Sequence, residues 1–426
     1  MSENQNNLDA SILRGMLGER VSRRQVFGVG AALAGGLTLA SGGVAGAALP
    51  NAGVGSSTWW KNQAAHDKLH FANWPYYIDT LNGKHPTIDR LESTTGMNVT
   101  YTEVIEDNPS FYQRILPSLA AHDNTGYDLM VMTNNSFELS YLIQGGWLIP
   151  LDQSKMVNFK KYGSPSVKNP AWDKGNKYTM AWQSGWTTVA YNKKAVTNVS
   201  GGLDILFDKK YKGKIGMMAD PIELGSIGLL AIGVNPATSK PSDWAKAAAK
   251  LRKQRDDGIV AAYYGNDYVG HLKNGDLVAS QSYSGDIFQA NLSGSKNLVL
   301  MTPKQGIMFW TDNMCIPLYA ANPRDAMIAM DYFYDPKVQS VLEYYIDYAC
   351  PVPTAKNELL KPTGWNKATL AAMRSEVGLA PSVTASSPQV FPTAAMTKAS
   401  RTYYQFKNQS EIDTWNGYFL PIVQGA

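Results

Sequence analysis

The 426-residue sequence predicts an α/β protein built on an open, largely parallel sheet. Two observations carry that expectation. From residue 68 onward, short apolar runs with strand character alternate with helical patterns. Several of the strand-like runs are followed directly by polar and aromatic clusters. Ligands of open α/β sheets sit at the carboxyl ends of strands, so the second observation bears on function as well.

The elements follow in order. Lys68–Trp74 reads as a short strand ending in aromatics. Pro86–Thr95 has a helical pattern, with proline in the first turn and Gly96 as a stop. Asn98–Val104 alternates as a strand should, with Val99, Tyr101 and Glu103 on one side. Asn108-Pro109-Ser110 starts a helix through Ala121, in which Phe111, Ile115 and Leu119 recur every fourth residue. Tyr127–Met132 is nearly continuous in apolar residues, as a strand buried on both faces requires. Ile215–Ala219 and Ile307–Phe309 read as further strands, and Asp243–Gln254 and Arg324–Tyr348 as long helices. Four clusters follow candidate strands: Asn73-Trp74-Pro75-Tyr76-Tyr77, Thr133-Asn134-Asn135-Ser136, Asp220-Pro221-Ile222-Glu223 and Trp310-Thr311-Asp312.

Composition narrows the function classes. The formal net charge is +4, and residues 1–47, with four Arg and three acids, contribute one of those charges. Basic residues occur only in short groups such as Lys160–Lys161, so nothing resembles the concentrated basic patch of a nucleic-acid-binding protein. Cys315 and Cys350 are the two cysteines, and they fit either a disulfide or a pair of buried thiols. His66 and His70 are four apart, but the second lies in a strand-like run, so no metal site and no cofactor are expected.

The N-terminus has the order of an export signal. Ser22-Arg23-Arg24-Gln25 precedes a Gly/Ala-rich, weakly apolar stretch from Val26 to Ala40, and Ala45-Gly46-Ala47 supplies small residues for cleavage. A twin-arginine signal over 1–47, cut after Ala47, is expected. The rival reading, a membrane anchor, suffers from abundant glycine and few bulky residues. Residues 48–64 read as a linker.

An ordered set of motifs resembles the spermidine/putrescine-binding proteins of ABC importers across residues 67–355. Phe71-Ala72-Asn73-Trp74 followed by Tyr77 resembles that family's NWxxY, and Gly126-Tyr127-Asp128-Leu129 with Val131 its YDLVV strand. Thr188–Asn192 resembles its strand crossing into a second lobe. Tyr211-Lys212-Gly213-Lys214-Ile215 resembles its YKGKI, with a D-x-x-E pair at Asp220 and Glu223. Gly306–Asp312 resembles its GGxFWxD, and Pro351-Val352-Pro353 its PTP. The resemblance implies the two-lobed periplasmic-binding-protein fold of type II kind, each lobe an open mixed sheet flanked by helices, with a ligand cleft between. The N-lobe would hold 65–187 and 313–365, the C-lobe 188–312 and 366–426. The protein would be exported, periplasmic or cell-surface, monomeric, and would hand its ligand to a membrane permease.

Carried over residue by residue, the resemblance implies a ligand site of Trp74, Tyr77, Thr133, Asn135, Asp220, Glu223, Tyr283, Trp310, Asp312 and Tyr348. That inventory suits a small cationic amine. Carboxylates pair with ammonium groups, and aromatic faces attract the charge and cover the methylenes between. Several of these residues also have structural readings: Trp74 and Trp310 as core aromatics, Asp220 as a helix cap before Pro221, Glu223 as a first-turn acid. Asp312 has no capping duty. Pro75, Asn135 and Tyr283 depart from the family pattern, which leaves the identity of the amine open. A rival of another class is a secreted hydrolase using Asp220 and Glu223 as paired acids, although no G-x-S-x-G, HExxH or P-loop pattern is present.

Overall fold

The computed structural model describes residues 53–425, apart from 197, 266 and 293. The expected signal segment 1–47 lies outside the described residues. Ten strands form one mixed sheet: β1 (Lys68–Asn73), β2 (Asn98–Glu103), β3 (Leu129–Thr133), β4 (Thr179–Asn192), β5 (Ile215–Met218), β6 (Val260–Tyr264), β7 (Ala279–Tyr283), β8 (Leu298–Leu300), β9 (Ile307–Cys315) and β10 (Ser400–Arg401). Their order is β2-β1-β3-β9-β4-β7-β5-β6, with β10 beside β9 and β8 beside β4. The β1–β2, β1–β3, β5–β6 and β5–β7 pairs are parallel. The pairs made by β4, and β3 with β9, are antiparallel. The sheet is therefore less parallel than the strand rhythm alone predicts, because two long strands run back through its middle.

Those two strands join two hydrophobic cores. The first gathers residues from Trp60 to Trp182 and from Met314 to Val390. The second gathers residues from Val189 to Trp310 and from Tyr403 to Ile422. The start of β4 and the end of β9 lie in the first core, while Val189 of β4 and Met308 and Trp310 of β9 lie in the second. Within 366–426, which the resemblance assigns wholly to the C-lobe, Leu370, Met373, Val377, Ala385 and Val390 pack in the first core. Ser57–Lys61, in the stretch expected to be a linker, is a short helix instead. Its Trp60 is buried and donates its indole N–H to the Pro150 carbonyl at 3.0 Å.

Local chemistry sets the helix ends. Pro86–Thr95 stops at Gly96, whose φ of 78° suits glycine. The next helix, Asn108–Ala120, is capped by Asp107, which accepts from the Ser110 N–H at 2.7 Å. The long helix expected over Arg324–Tyr348 is two, Pro323–Tyr332 and Pro336–Ile346. Asp335 caps the second and Pro336 occupies its first turn, a start signal that also ends the preceding helix, since proline donates no N–H. β9 likewise continues through Trp310, Thr311 and Asp312 to Cys315, so this cluster lies within the strand and not beyond its end. Thr311, Asp312 and Asn313 are buried there and bond to β3, β4 and Tyr77.

The cysteines are two free, buried thiols. Burial pushes both well above the usual thiol range.

The Pro221–Ala231 helix is braced from behind by the C-terminal helix Gln409–Gln424. The Trp415 indole N–H reaches the Pro221 carbonyl at 2.9 Å, and its ring lies against Gly225 so closely that an added Cβ would stand 2.3 Å from it. Gly225→Ala should therefore cost about 1–3 kcal/mol by overpacking, despite alanine's better helix propensity. Urea unfolding checks this, and an unchanged or higher midpoint would show that the Trp415 contact yields without strain.

Candidate functional site

Asp312 lies near the middle of the molecule, on β9, opposite Thr133 of β3. Its carboxylate accepts the Thr133 hydroxyl at 2.5 Å and the Tyr77 hydroxyl at 2.5 Å. Three chain segments thus converge on one acid, which is 6% exposed. Burial raises its pKa to about 6, although both hydroxyls pull it back down. At neutral pH it is mostly ionised.

A row of aromatic rings runs from this acid. Tyr77 meets Tyr348 edge-on at 5.6 Å, Tyr348 meets Trp310 at 5.4 Å, and Trp310 meets Tyr283 at 6.4 Å. Tyr348 is placed by Asp347, which adopts a left-handed φ of 58° at the helix end. The Asp347 carboxylate accepts from the Thr384 hydroxyl at 2.9 Å and the Gln289 amide at 3.2 Å. Two glycines make room for the rings. A Cβ at Gly185 would stand 2.3 Å from the Trp310 ring, and one at Gly285 would stand 2.8 Å from Tyr348. The Trp310 indole nitrogen is buried with no hydrogen-bond partner among the described residues.

The other two acids differ from Asp312. Asp220 is exposed and caps the Pro221–Ala231 helix, accepting from the Ile222 and Glu223 N–H groups at 2.8 and 2.9 Å. Glu223 is fully buried. The Tyr403 hydroxyl lies 2.8 and 3.0 Å from its two oxygens, and Asn135 donates to it at 3.1 Å. Burial, with a smaller push from the Asp220 carboxylate, raises its pKa to about 8, so it is largely protonated at neutral pH.

The structure therefore brings Tyr77, Thr133, Asp312, Trp310, Tyr348 and Tyr283 into one group. Asn135, Glu223 and Asp220 form a second, reached through the Thr133–Asn135 loop. Trp74 is half-buried and donates its indole N–H to the Val131 carbonyl at 3.2 Å, which anchors it to β3. Sequence reasoning missed Tyr403, Gly185 and Gly285. The glycines carry no local signature, and Tyr403 lies 180 residues from its partner. A surface groove of about 530 Å³ lined by Leu81, Arg90 and Trp365 shares no residue with either group. Among the described residues no acid, histidine and cysteine grouping could hold a metal, and no helix is long and apolar enough to cross a membrane.

Residues 87–372 match the family described as bacterial extracellular solute-binding protein. A putrescine/cadaverine-binding protein of Pseudomonas aeruginosa is 28% identical over 301 residues, covering 67% of this chain and 80% of its own. The spermidine/putrescine-binding periplasmic protein of Escherichia coli is 26% identical over 313 residues, covering 72% and 85%. A spermidine/putrescine ABC transporter substrate-binding protein of Streptococcus pneumoniae superposes with a TM-score of 0.68 at 22% identity, over 84% of this chain and 98% of that one.

Glu223 and Asp312 are both more basic in the folded chain than when unfolded, so the native state holds the extra protons. Their contribution to stability is present at low pH and is lost as pH rises through about 6 for Asp312 and about 8 for Glu223. Glu223→Gln removes the upper part of that fall. Unfolding midpoints measured across this pH window should decline less steeply in the variant, and parallel curves would show that Glu223 is ionised in the native state.

Proposed function

The chain belongs to the bacterial extracellular solute-binding proteins, and from that premise we propose that it is the polyamine receptor of an ABC importer. The observation that carries this reading is Asp312, a buried and mostly ionised acid at the head of the ring row Tyr77, Tyr348, Trp310 and Tyr283. An ammonium group calls for a carboxylate in a partly desolvated site, where such hydrogen bonds contribute about 1.5–3 kcal/mol. The methylenes beside it call for apolar faces that also tolerate charge, each cation–ring contact adding about 0.5–2 kcal/mol. The relatives named for putrescine, cadaverine and spermidine support the same chemical class.

The protein acts outside the cytoplasm, exported by the twin-arginine-type segment 1–47, and gives its ligand to a membrane permease. Its first lobe is 65–187 with 313–365 and the stretch Leu370–Val390 that packs in the same core, and its second is 188–312 with the C-terminal stretch from Tyr403. Tyr77, Trp310 and Asp312 are 6–7% exposed, so admitting a ligand requires the two cores to part. β4 and β9, which cross between the cores, are where that bending is concentrated. No catalytic role is part of the proposal. Asp220 caps its helix and Glu223 is tied to Tyr403 and Asn135, so the acid pair is committed to the fold.

Titration calorimetry on protein freed of carried-over ligand tests this reading with spermidine and putrescine. Micromolar or tighter binding is expected. Asp312→Asn should weaken it by about 1.5–3 kcal/mol, and wild-type affinity should fall as pH drops below about 6, where Asp312 takes up a proton. Absence of heat with both amines would discard the polyamine assignment.

A lobe-to-lobe distance, followed by scattering or by paired fluorophores, should shorten at saturating ligand. A constant distance would remove the closure step.

A further inference from the structure

One buried acid plays no part in the site described above. Glu138 opens the helix Phe137–Gln144, three residues beyond Asn135. It is 0% exposed, and among the described residues no cationic side chain bonds either carboxyl oxygen. Buried acids without a counter-charge are rare, because losing water without full replacement is expensive. Burial raises its pKa to about 7, the nearby Ser136 hydroxyl offsets part of the rise, and the Asp220 and Asp107 carboxylates push the same way as burial.

The surroundings of Glu138 repeat the chemistry of the first group. Tyr112, Phe137 and Tyr141 are half-buried; Glu138 acts electrostatically on both tyrosine hydroxyls, and Phe137 precedes it in the chain. Tyr141 meets Phe137 edge-on at 5.3 Å and Tyr112 at 6.5 Å. The Tyr141 hydroxyl donates to Gln409 at 2.7 Å, which fixes its ring against the C-terminal helix. Asp107 belongs to the cap of the helix below and Asp220 to the cap of the helix opposite. Rings and acids of one sign therefore surround an acid that has no counter-charge.

We propose that Glu138, with Tyr112, Phe137 and Tyr141, forms a second ammonium subsite that takes the far amino group of ligands with three or more amines. The inference rests on the polyamine reading and extends it. Loop Thr133–Glu138 links the two subsites. Thr133, whose hydroxyl Asp312 accepts, and Glu138 are the two ends of that six-residue stretch, which places the second acid along the chain from the first. A diamine held at Asp312 leaves Glu138 empty. A triamine brings Glu138 the charged partner that it lacks and draws off its proton.

Binding of putrescine and spermidine to wild type and to Glu138→Gln tests this subsite. Spermidine affinity should drop about tenfold in the variant, the loss expected for one charge-assisted hydrogen bond, while putrescine affinity changes less than about twofold. Equal losses for both amines, or none for either, would overturn the subsite while leaving the polyamine reading intact. Failure of wild type to bind either amine would overturn both. If Glu138→Gln does not fold, Tyr112→Leu removes a ring from the same subsite and should show the same selective loss of spermidine.

Discussion

Two long strands, β4 and β9, lie side by side through both hydrophobic cores, and their antiparallel ladder carries the chain from one core to the other in each direction. The site depends on that ladder. Asp312 and Trp310 project from β9, while β4 supplies Gly185, the only residue type that leaves space for the Trp310 ring. Because the ladder is shared, any change in the angle between the cores is felt first at the residues it carries. The candidate site therefore sits where the two cores are joined.

The three acids that the resemblance places in one site behave differently in the fold, and burial decides the difference. Asp220 stays in water and spends its hydrogen-bonding capacity on a helix terminus. Asp312 is buried, but two hydroxyls hold its pKa low enough for ionisation near neutral pH. Glu223 is buried more deeply in effect, and its proton stays on through neutral pH despite Tyr403 and Asn135. A row of carboxylates is thus a graded set, one charged, one solvated and one that must lose a proton before it can act as a charge.

The pattern of the N-terminal part was legible in the sequence because it is local. Continuous apolar runs marked β3 and β5, and Gly96 marked a helix stop, each by chemistry confined to a few neighbours. β9 was cut short at Phe309 because Thr311, Asp312 and Asn313 look like a strand end. Only partners far away in sequence, Tyr77 and Thr133, make them tolerable inside. The same holds for Tyr403, whose hydroxyl matters only because the chain returns beside Glu223. The break at Pro336 was legible and lay in Asp335-Pro336, overlooked within a long apolar periodicity. Motif order located Asp312, Trp310 and Tyr348 together, whereas spacing alone gave no reason to join them.

The two cysteines have a consequence for where the molecule can assemble. Both thiols are buried without bonding to each other, so nothing in the architecture waits on oxidation. Its hydrophobic cores and backbone ladders can form equally well in a reducing or an oxidising compartment. Such a chain reaches its fold without a disulfide catalyst.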